Sequence, residues 1–199
     1  MTRSLNRSLS SRSSRAATQP STTVVDVNDA QGAYGFPFSL FDASAADLAH
    51  TKQAHIQLDL EGLQCFEVVH QQYQQLGVVF TNAIALRPSN PAFPPHSGHM
   101  VLMGAPKNGF LEAIFTKPTS FVSACITGSR RTVVSAFDHS GKLVETVQTH
   151  GANLASPDDP GNANLPLSLT APDIHRVMFQ CLGGQFTLDN FSFVVDLTA

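Results

Sequence analysis

Histidine is the residue type whose side chains could do the most chemistry in this sequence, which contains eight of them. His96 and His99 form an H-x-x-H motif next to the proline-rich segment 88–95. Further candidate ligands are scattered along the chain: His55, His70, His139, His150 and His175. Zinc requires three or four nitrogen or sulfur ligands that converge. The motif offers two and has no cysteine near it, so the sequence favours surface histidines over a transition-metal site.

Nucleophilic catalysis has one candidate segment, in which Asp138, His139 and Ser140 follow one another. Adjacent residues in a tight turn cannot hydrogen-bond in the order of a catalytic triad, so we interpret this segment as a turn. The chain has no G-x-S-x-G elbow, Walker loop or dinucleotide-binding fingerprint. We therefore predict that the protein is not an enzyme.

The elements around these residues have the pattern of strands. Residues 55–62 alternate apolar and polar side chains, as a half-buried strand does. Residues 131–138 and 142–149 form a predicted hairpin with a left-handed residue at Gly141. The other predicted strands are 77–86, 99–104, 110–116, 120–128, 165–170, 174–181 and 185–197. Prolines separate several of them, among them Pro166 and Pro172. We predict an all-β fold, an antiparallel two-sheet sandwich of the jelly-roll type.

The N-terminal part differs in composition from the rest. Residues 1–25 contain four arginines, many serines and threonines and no acid, which predicts a disordered tail. A transit peptide, a partner-binding arm and a leader without a role all remain open for this tail. Residues 26–53 are an expected irregular lead-in with a short helix at 43–54, and residues 54–199 the predicted sandwich.

Charge and hydropathy exclude some classes of partner. The formal net charge is −3, which argues against nucleic acid. No apolar run approaches the roughly 18 residues of a membrane-spanning helix, so we predict no membrane span. The three cysteines are Cys65, Cys125 and Cys181. An odd number rules out complete internal pairing, and one bridge between Cys125 and Cys181 stays open beside three small buried side chains.

Four sequence segments together resemble a known class of domain: LDLEGL at 58–63, Tyr73 followed by LGVVFTNA at 76–83, AFDHSGKLVE at 136–145 and FTLDNFSF at 186–193. They resemble the β-sandwich domains of exported bacterial surface proteins of the PEP-CTERM type. The resemblance covers roughly residues 54–197. It implies the galactose-binding-like jelly roll that several carbohydrate-binding modules share, and an extracellular or cell-surface location, although no secretory signal peptide is evident.

The resemblance also implies a structural calcium ion shared by the first and last strands. Glu61 and Asp189 occupy the matching positions, and Asp59, two residues before Glu61, points to the same face as a weaker candidate. Calcium takes six to eight oxygen ligands, which carboxylates and loop carbonyls can supply. We therefore expect Ca²⁺ bound by Glu61, Asp189 and Asp59, in a structural and not a catalytic role.

Two functions follow as hypotheses. The first is a non-enzymatic binding or adhesion module of the carbohydrate-binding type, with a glycan or protein partner. Trp is absent and Tyr73 belongs to the fold motif, so Tyr34 is the remaining candidate for stacking on a sugar ring. The alternative is a structural or assembly protein, a homo-oligomeric jelly-roll subunit of a particle, surface layer or appendage.

Overall fold

The computed structural model describes residues 53–104 and 109–196. The predicted tail and most of the lead-in, including Tyr34, lie outside the described residues. The predicted helix at 43–54 is wrong at its end, because Gln53 and Ala54 begin the first strand. The described residues form ten strands: β1 (Gln53–Gln57), β2 (Val68–Val69), β3 (Val78–Thr81), β4 (Ala83–Leu86), β5 (Val101–Gly104), β6 (Phe110–Gly128), β7 (Val133–Phe137), β8 (Leu143–Gln148), β9 (Leu165–Gln180) and β10 (Phe186–Asp196). All of their pairings are antiparallel.

Two long strands, β6 and β9, connect two sheets. The N-terminal part of β6 pairs with β3 on one side and with the C-terminal part of β9 on the other, and β7 and β8 continue this first sheet. The C-terminal part of β6 pairs with β10 and with the N-terminal part of β9. The second sheet continues from β10 to β5, β4 and β2. β1 pairs with the C-terminal half of β10. The antiparallel all-β prediction is confirmed.

The core between the two sheets is aromatic. Phe80 and Phe179 from the first sheet meet Phe191 of β10, with ring centroids 5.5 and 6.3 Å apart. Phe115 of the first sheet contacts Phe193 of β10 at 5.1 Å. These rings are at most 4% exposed, so they remove a large apolar area from water and hold the sheets face to face.

Several predicted strand boundaries are wrong, and each has a local cause. The predicted strand at 77–86 is two strands, because Asn82 adopts a left-handed backbone with φ of 65° that sends β3 and β4 to different sheets. The predicted pairs at 110–116 and 120–128, and at 165–170 and 174–181, are single strands. Pro166 pairs with Cys125 near the start of β9, within the predicted strand 165–170. Pro172 was predicted to separate two strands, but it lies inside β9, where the register shift between Thr119 and Phe121 accommodates it.

The cysteines are all free. Cys125 and Cys181 are buried, as predicted for small apolar side chains, and they do not form the bridge that the sequence left open. The prediction is wrong for Cys65, which is exposed. No helix in the described ranges is both long and apolar enough to cross a membrane.

Candidate functional site

Asp189 lies at an irregularity in β10 and anchors a distant loop. The register shifts between Asp189 and Ser192, and Asn190 adopts a left-handed backbone with φ of 52°. The Asp189 side chain is buried, and its Oδ2 accepts hydrogen bonds from the backbone N–H groups of His96 (2.7 Å) and Ser97 (2.9 Å). The bulge therefore directs a carboxylate at two amides that no strand pairing satisfies.

Glu61 binds the other end of the same loop. Its Oε1 accepts hydrogen bonds from the backbone N–H groups of His99 and Met100, both at 2.9 Å. Partial burial acts to raise the pKa of Glu61, but the two amide hydrogen bonds, together with the charges of His99 and Arg87, outweigh it, and the net pKa is lowered. We call residues 96–100, held by Glu61 and Asp189, the clamped loop.

Gly98 shows how closely the clamped loop meets Glu61. Its backbone has φ of +56°, and a Cβ built on it would lie 2.3 Å from Glu61 Oε1 and 2.5 Å from the carboxyl carbon. Both features oppose a side chain at this position, because the positive φ would strain it and the Glu61 carboxylate would have to move aside. The glycine thus allows the loop backbone to approach the carboxylate that binds it.

Asp59 occupies the turn between β1 and Glu61. Its Oδ1 accepts a hydrogen bond from the Glu61 N–H at 2.9 Å, which fixes the local turn. Its backbone carbonyl accepts the hydroxyl hydrogen of Tyr73 at 2.6 Å. Burial of Tyr73, together with the charges of Asp59 and Glu67, raises the pKa of the phenol well above its usual range. Tyr73 is thus neutral and structural, as its place in the fold motif implied.

The three predicted site residues line one polar depression of about 280 Å³. It is bounded by Gln57, Leu58, Asp59, Leu60, Glu61, Ser97 and Asp189. A second depression of about 420 Å³ adjoins it at Asp59 and Glu61. This one is bounded by Asp59, Glu61, Gly62, Leu63, Glu67, Gln72 and Tyr73. We call the two together the acidic cleft. None of the described residues that line it is Lys or Arg.

The structure therefore brings Asp59, Glu61 and Asp189 to one place, but not into a compact cage. Four of their six oxygens already accept backbone amides, because Asp189 Oδ1 also accepts the Asn190 N–H at 2.6 Å. Within the described ranges, the group of His, Cys, Asp or Glu ligand atoms that all lie within 4.8 Å of one another is elsewhere, at the β7–β8 turn. The oxygen chemistry fits a hard cation such as Ca²⁺. Bringing these carboxylates around one ion would require their side chains to move closer together.

An exposed aromatic residue that the sequence analysis missed is the sequence neighbour of a residue that lines the acidic cleft. Phe66 is 79% exposed and has a left-handed backbone with φ of 68°. It directly precedes Glu67, whose carboxylate lines the cleft. A bulky residue at positive φ is strained, and such strain concentrates at functional sites. The signal in the sequence was a phenylalanine outside every predicted strand.

Asp138, His139 and Ser140 form a turn and not a triad, as predicted. Asp138 Oδ1 accepts the Ser140 hydroxyl at 2.7 Å and the N–H groups of Ser140 and Lys142 at 2.8 and 3.0 Å. These bonds, that of the Ser140 hydroxyl foremost, lower the pKa of Asp138. Gly141 has φ of 81°, as the hairpin prediction required. His139 turns away from Ser140 and contacts Asp173.

Comparisons with known proteins give structural likeness alone. No family model matches the chain, and no curated protein is similar to it in sequence, so the PEP-CTERM-type resemblance stays a prediction. A family 61 carbohydrate-binding module in complex with β-1,4-galactotriose has 10% identity and a TM-score of 0.38, covering 65% of this chain and 99% of its own. A family 29 carbohydrate-binding module from Piromyces equi has 7% identity and a TM-score of 0.34, with coverages of 59% and 90%. A DUF4465 family protein from Bacteroides caccae has 7% identity and a TM-score of 0.39, with coverages of 77% and 97%.

Proposed function

We propose that the protein is a non-enzymatic module that binds neutral oligosaccharides in the acidic cleft. The observation that carries the proposal is the cleft itself, in which hydrogen-bonding side chains line two adjoining depressions. Binding sites for small molecules combine a concave surface with a few fixed polar groups. Sugars offer many hydroxyl donors, and carboxylate and amide oxygens accept them.

The charge of the acidic cleft selects among sugars. Asp59, Glu61, Glu67 and Asp189 all line it. These four carboxylates outnumber the two charges of one bound Ca²⁺, so a uronic acid or sulfated sugar would still face repulsion in the cleft. Neutral sugars avoid this cost, so the proposal commits to uncharged hexose chains. The same argument excludes nucleic acid from the cleft.

Phe66 supplies the apolar half of sugar recognition in this proposal. Sugar rings have an apolar face that packs on aromatic rings, while their hydroxyl groups are bound at the edge. Phe66 has the exposure that such stacking requires, 79%, and it is adjacent to the cleft-lining Glu67. In this proposal Phe66 stacks on the sugar ring, a role for which the sequence analysis offered Tyr34.

Calcium is part of the proposal as a structural ion. Asp59 and Glu61 would hold it through their second carboxylate oxygens, and Asp189 through a remaining lone pair of an oxygen that already accepts an amide. A doubly charged cation would offset the mutual repulsion of the carboxylates and tie the β1 end to β10. The ion would supply rigidity to the clamped loop, and no bond-breaking chemistry.

The test is a titration of the purified full chain by isothermal calorimetry, with 1 mM CaCl₂ present. β-1,4-Galactotriose, the sugar bound to the similar family 61 module, and cellohexaose are the first neutral probes, and tri-galacturonate is the charged probe. We expect a neutral sugar to bind, Phe66→Ala to weaken binding at least about tenfold, and tri-galacturonate not to bind. Leu182→Ala is the matched control, since Leu182 is 70% exposed but lies outside the cleft. Equal affinities for wild type and Phe66→Ala, or no binding of either neutral sugar and no hit on an array of neutral glycans, would overturn the proposal.

Assembly remains a second candidate because of one edge of the sandwich. β8 ends the strand order and pairs with β7, and its Leu143 is 52% exposed. Exposed edge strands are templates for pairing with another chain. Light scattering at increasing protein concentration tests this: assembly predicts a rising mass that Leu143→Lys suppresses, and a constant monomer mass contradicts it.

A further inference from the structure

A cluster of metal-binding side chains lies at the β7–β8 turn. It consists of His139, Asp173 and His175, whose ligand atoms all lie within 4.8 Å of one another. None of these residues lines the acidic cleft, so the cluster is separate from the proposed sugar site. His139 and His175 were among the scattered histidines of the sequence.

Strand geometry accounts for two of the three residues. Asp173 and His175 lie two positions apart in β9, on either side of Ile174, which is fully buried. Side chains alternate across a strand, so Ile174 packs into the core while Asp173 and His175 share the outer face. Their exposed fractions are 38% and 32%, which leaves both side chains within reach of solvent.

The neighbouring hairpin brings the third residue. β7 pairs with β9 so that Phe137 stands opposite Arg176, and the chain then continues into the turn beside Asp173 and His175. The three hydrogen bonds accepted by Asp138 Oδ1 hold that turn, as described above. His139 is therefore presented to β9 by a defined turn rather than by a free loop.

The two imidazole side chains converge on the carboxylate of Asp173. His139 Nδ1 lies 2.9 Å from Asp173 Oδ2, and His175 Nε2 lies 3.1 Å from Asp173 Oδ1. The two imidazole rings meet at an interplanar angle of 63°, with centroids 5.8 Å apart. Both rings thus direct one nitrogen at the same small volume.

The neighbouring cationic side chain, Arg176, is engaged by other residues. The guanidinium of Arg176 pairs with Glu112 at 2.9 Å and lies over the ring of Phe137, 4.3 Å from its centroid. It does not supply the charge that Asp173 faces. The carboxylate is instead shared by two imidazoles, which are the side chains that transition metals most often bind.

We propose that His139, Asp173 and His175 bind a divalent first-row transition ion, of which Zn²⁺ is the representative. The ligand atoms are His139 Nδ1, His175 Nε2 and one carboxylate oxygen of Asp173, and water completes the coordination. Zinc bonds to imidazole nitrogen and carboxylate oxygen are about 2.0–2.2 Å long, so two ligand atoms of one ion are at most about 4 Å apart. The observed contacts need only small side-chain movements, which partly exposed residues can make.

Ligand type separates this site from the acidic cleft. Two nitrogens and one oxygen favour Zn²⁺, Co²⁺, Ni²⁺ or Cu²⁺, whereas Ca²⁺ prefers oxygen alone. Three protein ligands leave at least one position open to solvent. The bound ion would fasten the β7–β8 turn to β9.

The test is a titration of the tag-free full chain with ZnCl₂ by isothermal calorimetry. Wild type is expected to bind one equivalent, and His139→Ala, His175→Ala and Asp173→Asn are each expected to weaken binding at least about tenfold. Co²⁺ gives a second readout, through absorption bands in the visible range that require ordered ligands. Circular dichroism verifies that each variant is folded.

The matched control is the double variant His96→Ala/His99→Ala, which removes the H-x-x-H motif and leaves the cluster intact. It should retain the stoichiometric Zn²⁺ site. The proposal is overturned if this control loses the site, or if wild type binds Zn²⁺ no more tightly than His139→Ala/His175→Ala.

Discussion

The clamped loop and the histidine cluster both depend on carboxylates, but their partners differ. Glu61 and Asp189 accept backbone amides from residues 96–100, so they complete the hydrogen bonding of a loop. Asp173 contacts the imidazole nitrogens of His139 and His175, which lie on separate elements. Removing a carboxylate that binds the clamped loop leaves backbone donors unsatisfied. Removing the carboxylate of the cluster leaves exposed imidazoles in water. The first region should matter to folding, and the second to ion binding.

The largest expected effect is at Asp189. Asp189→Ala removes the acceptor of two loop amides, and we expect it to lower the free energy of unfolding by about 3 kcal/mol. Asp59→Ala should cost about 1 kcal/mol or less, because Asp59 is exposed and accepts one local amide. Urea unfolding followed by circular dichroism measures both, and equal losses would contradict the clamp.

Gly98→Ala should have the next largest effect, about 2 kcal/mol, because it adds a clash with the Glu61 carboxylate to the strain of a positive φ. Gly141→Ala is the matched control. Its φ is +81°, but no atom lies within 4 Å of the added methyl group, so it should cost about 1 kcal/mol. The double variant Glu61→Ala/Gly98→Ala should show coupling between the two positions, and strict additivity would argue against the contact.

The histidine cluster should behave in the opposite way. His139 is 72% exposed, and solvent screens its contact with Asp173, so His139→Ala should leave the unfolding midpoint unchanged without metal. With Zn²⁺ present, the midpoint of wild type should rise and that of His139→Ala should not. A loss of stability in the metal-free variant would mean that the cluster maintains the fold instead.

The smallest expected effect is that of calcium on stability. The carboxylates of the cleft are already bonded to amides, so the ion must draw them together and should raise the melting temperature by only a few degrees. Differential scanning calorimetry with EDTA and with 5 mM CaCl₂ measures the shift. Glu61→Gln should abolish it, and an unchanged midpoint in wild type would remove calcium from the proposal.

The sequence was most informative where structure is local. Alternating residues predicted the strands, and Asp138 with Gly141 predicted the hairpin, because both depend on neighbours in the chain. The boundaries failed at Asn82 and Pro172, where backbone geometry and tertiary pairing override local propensity. A proline usually ends a strand, but in β9 it lies within one.

The candidate site was predictable in part. The family resemblance predicted that Glu61 and Asp189 share one site. The sequence did not reveal that both carboxylates accept hydrogen bonds from backbone amides of residues 96–100. The histidine cluster was not found, because the register of β7 against β9 sets the contact of His139 with Asp173. Two signals were present: the D-I-H alternation at 173–175 and a histidine in a hairpin turn.

The most direct test of the sugar-binding proposal is to locate the bound sugar by nuclear magnetic resonance. A ¹⁵N-labelled full chain would be titrated with cellohexaose and with β-1,4-galactotriose, and the amide signals followed. The account predicts shifts confined to residues around the acidic cleft, those of 57–67, 72–73, 96–100 and 189, with no change at 139 or 173–175. Shifts centred on another surface, or none with either sugar, would contradict it.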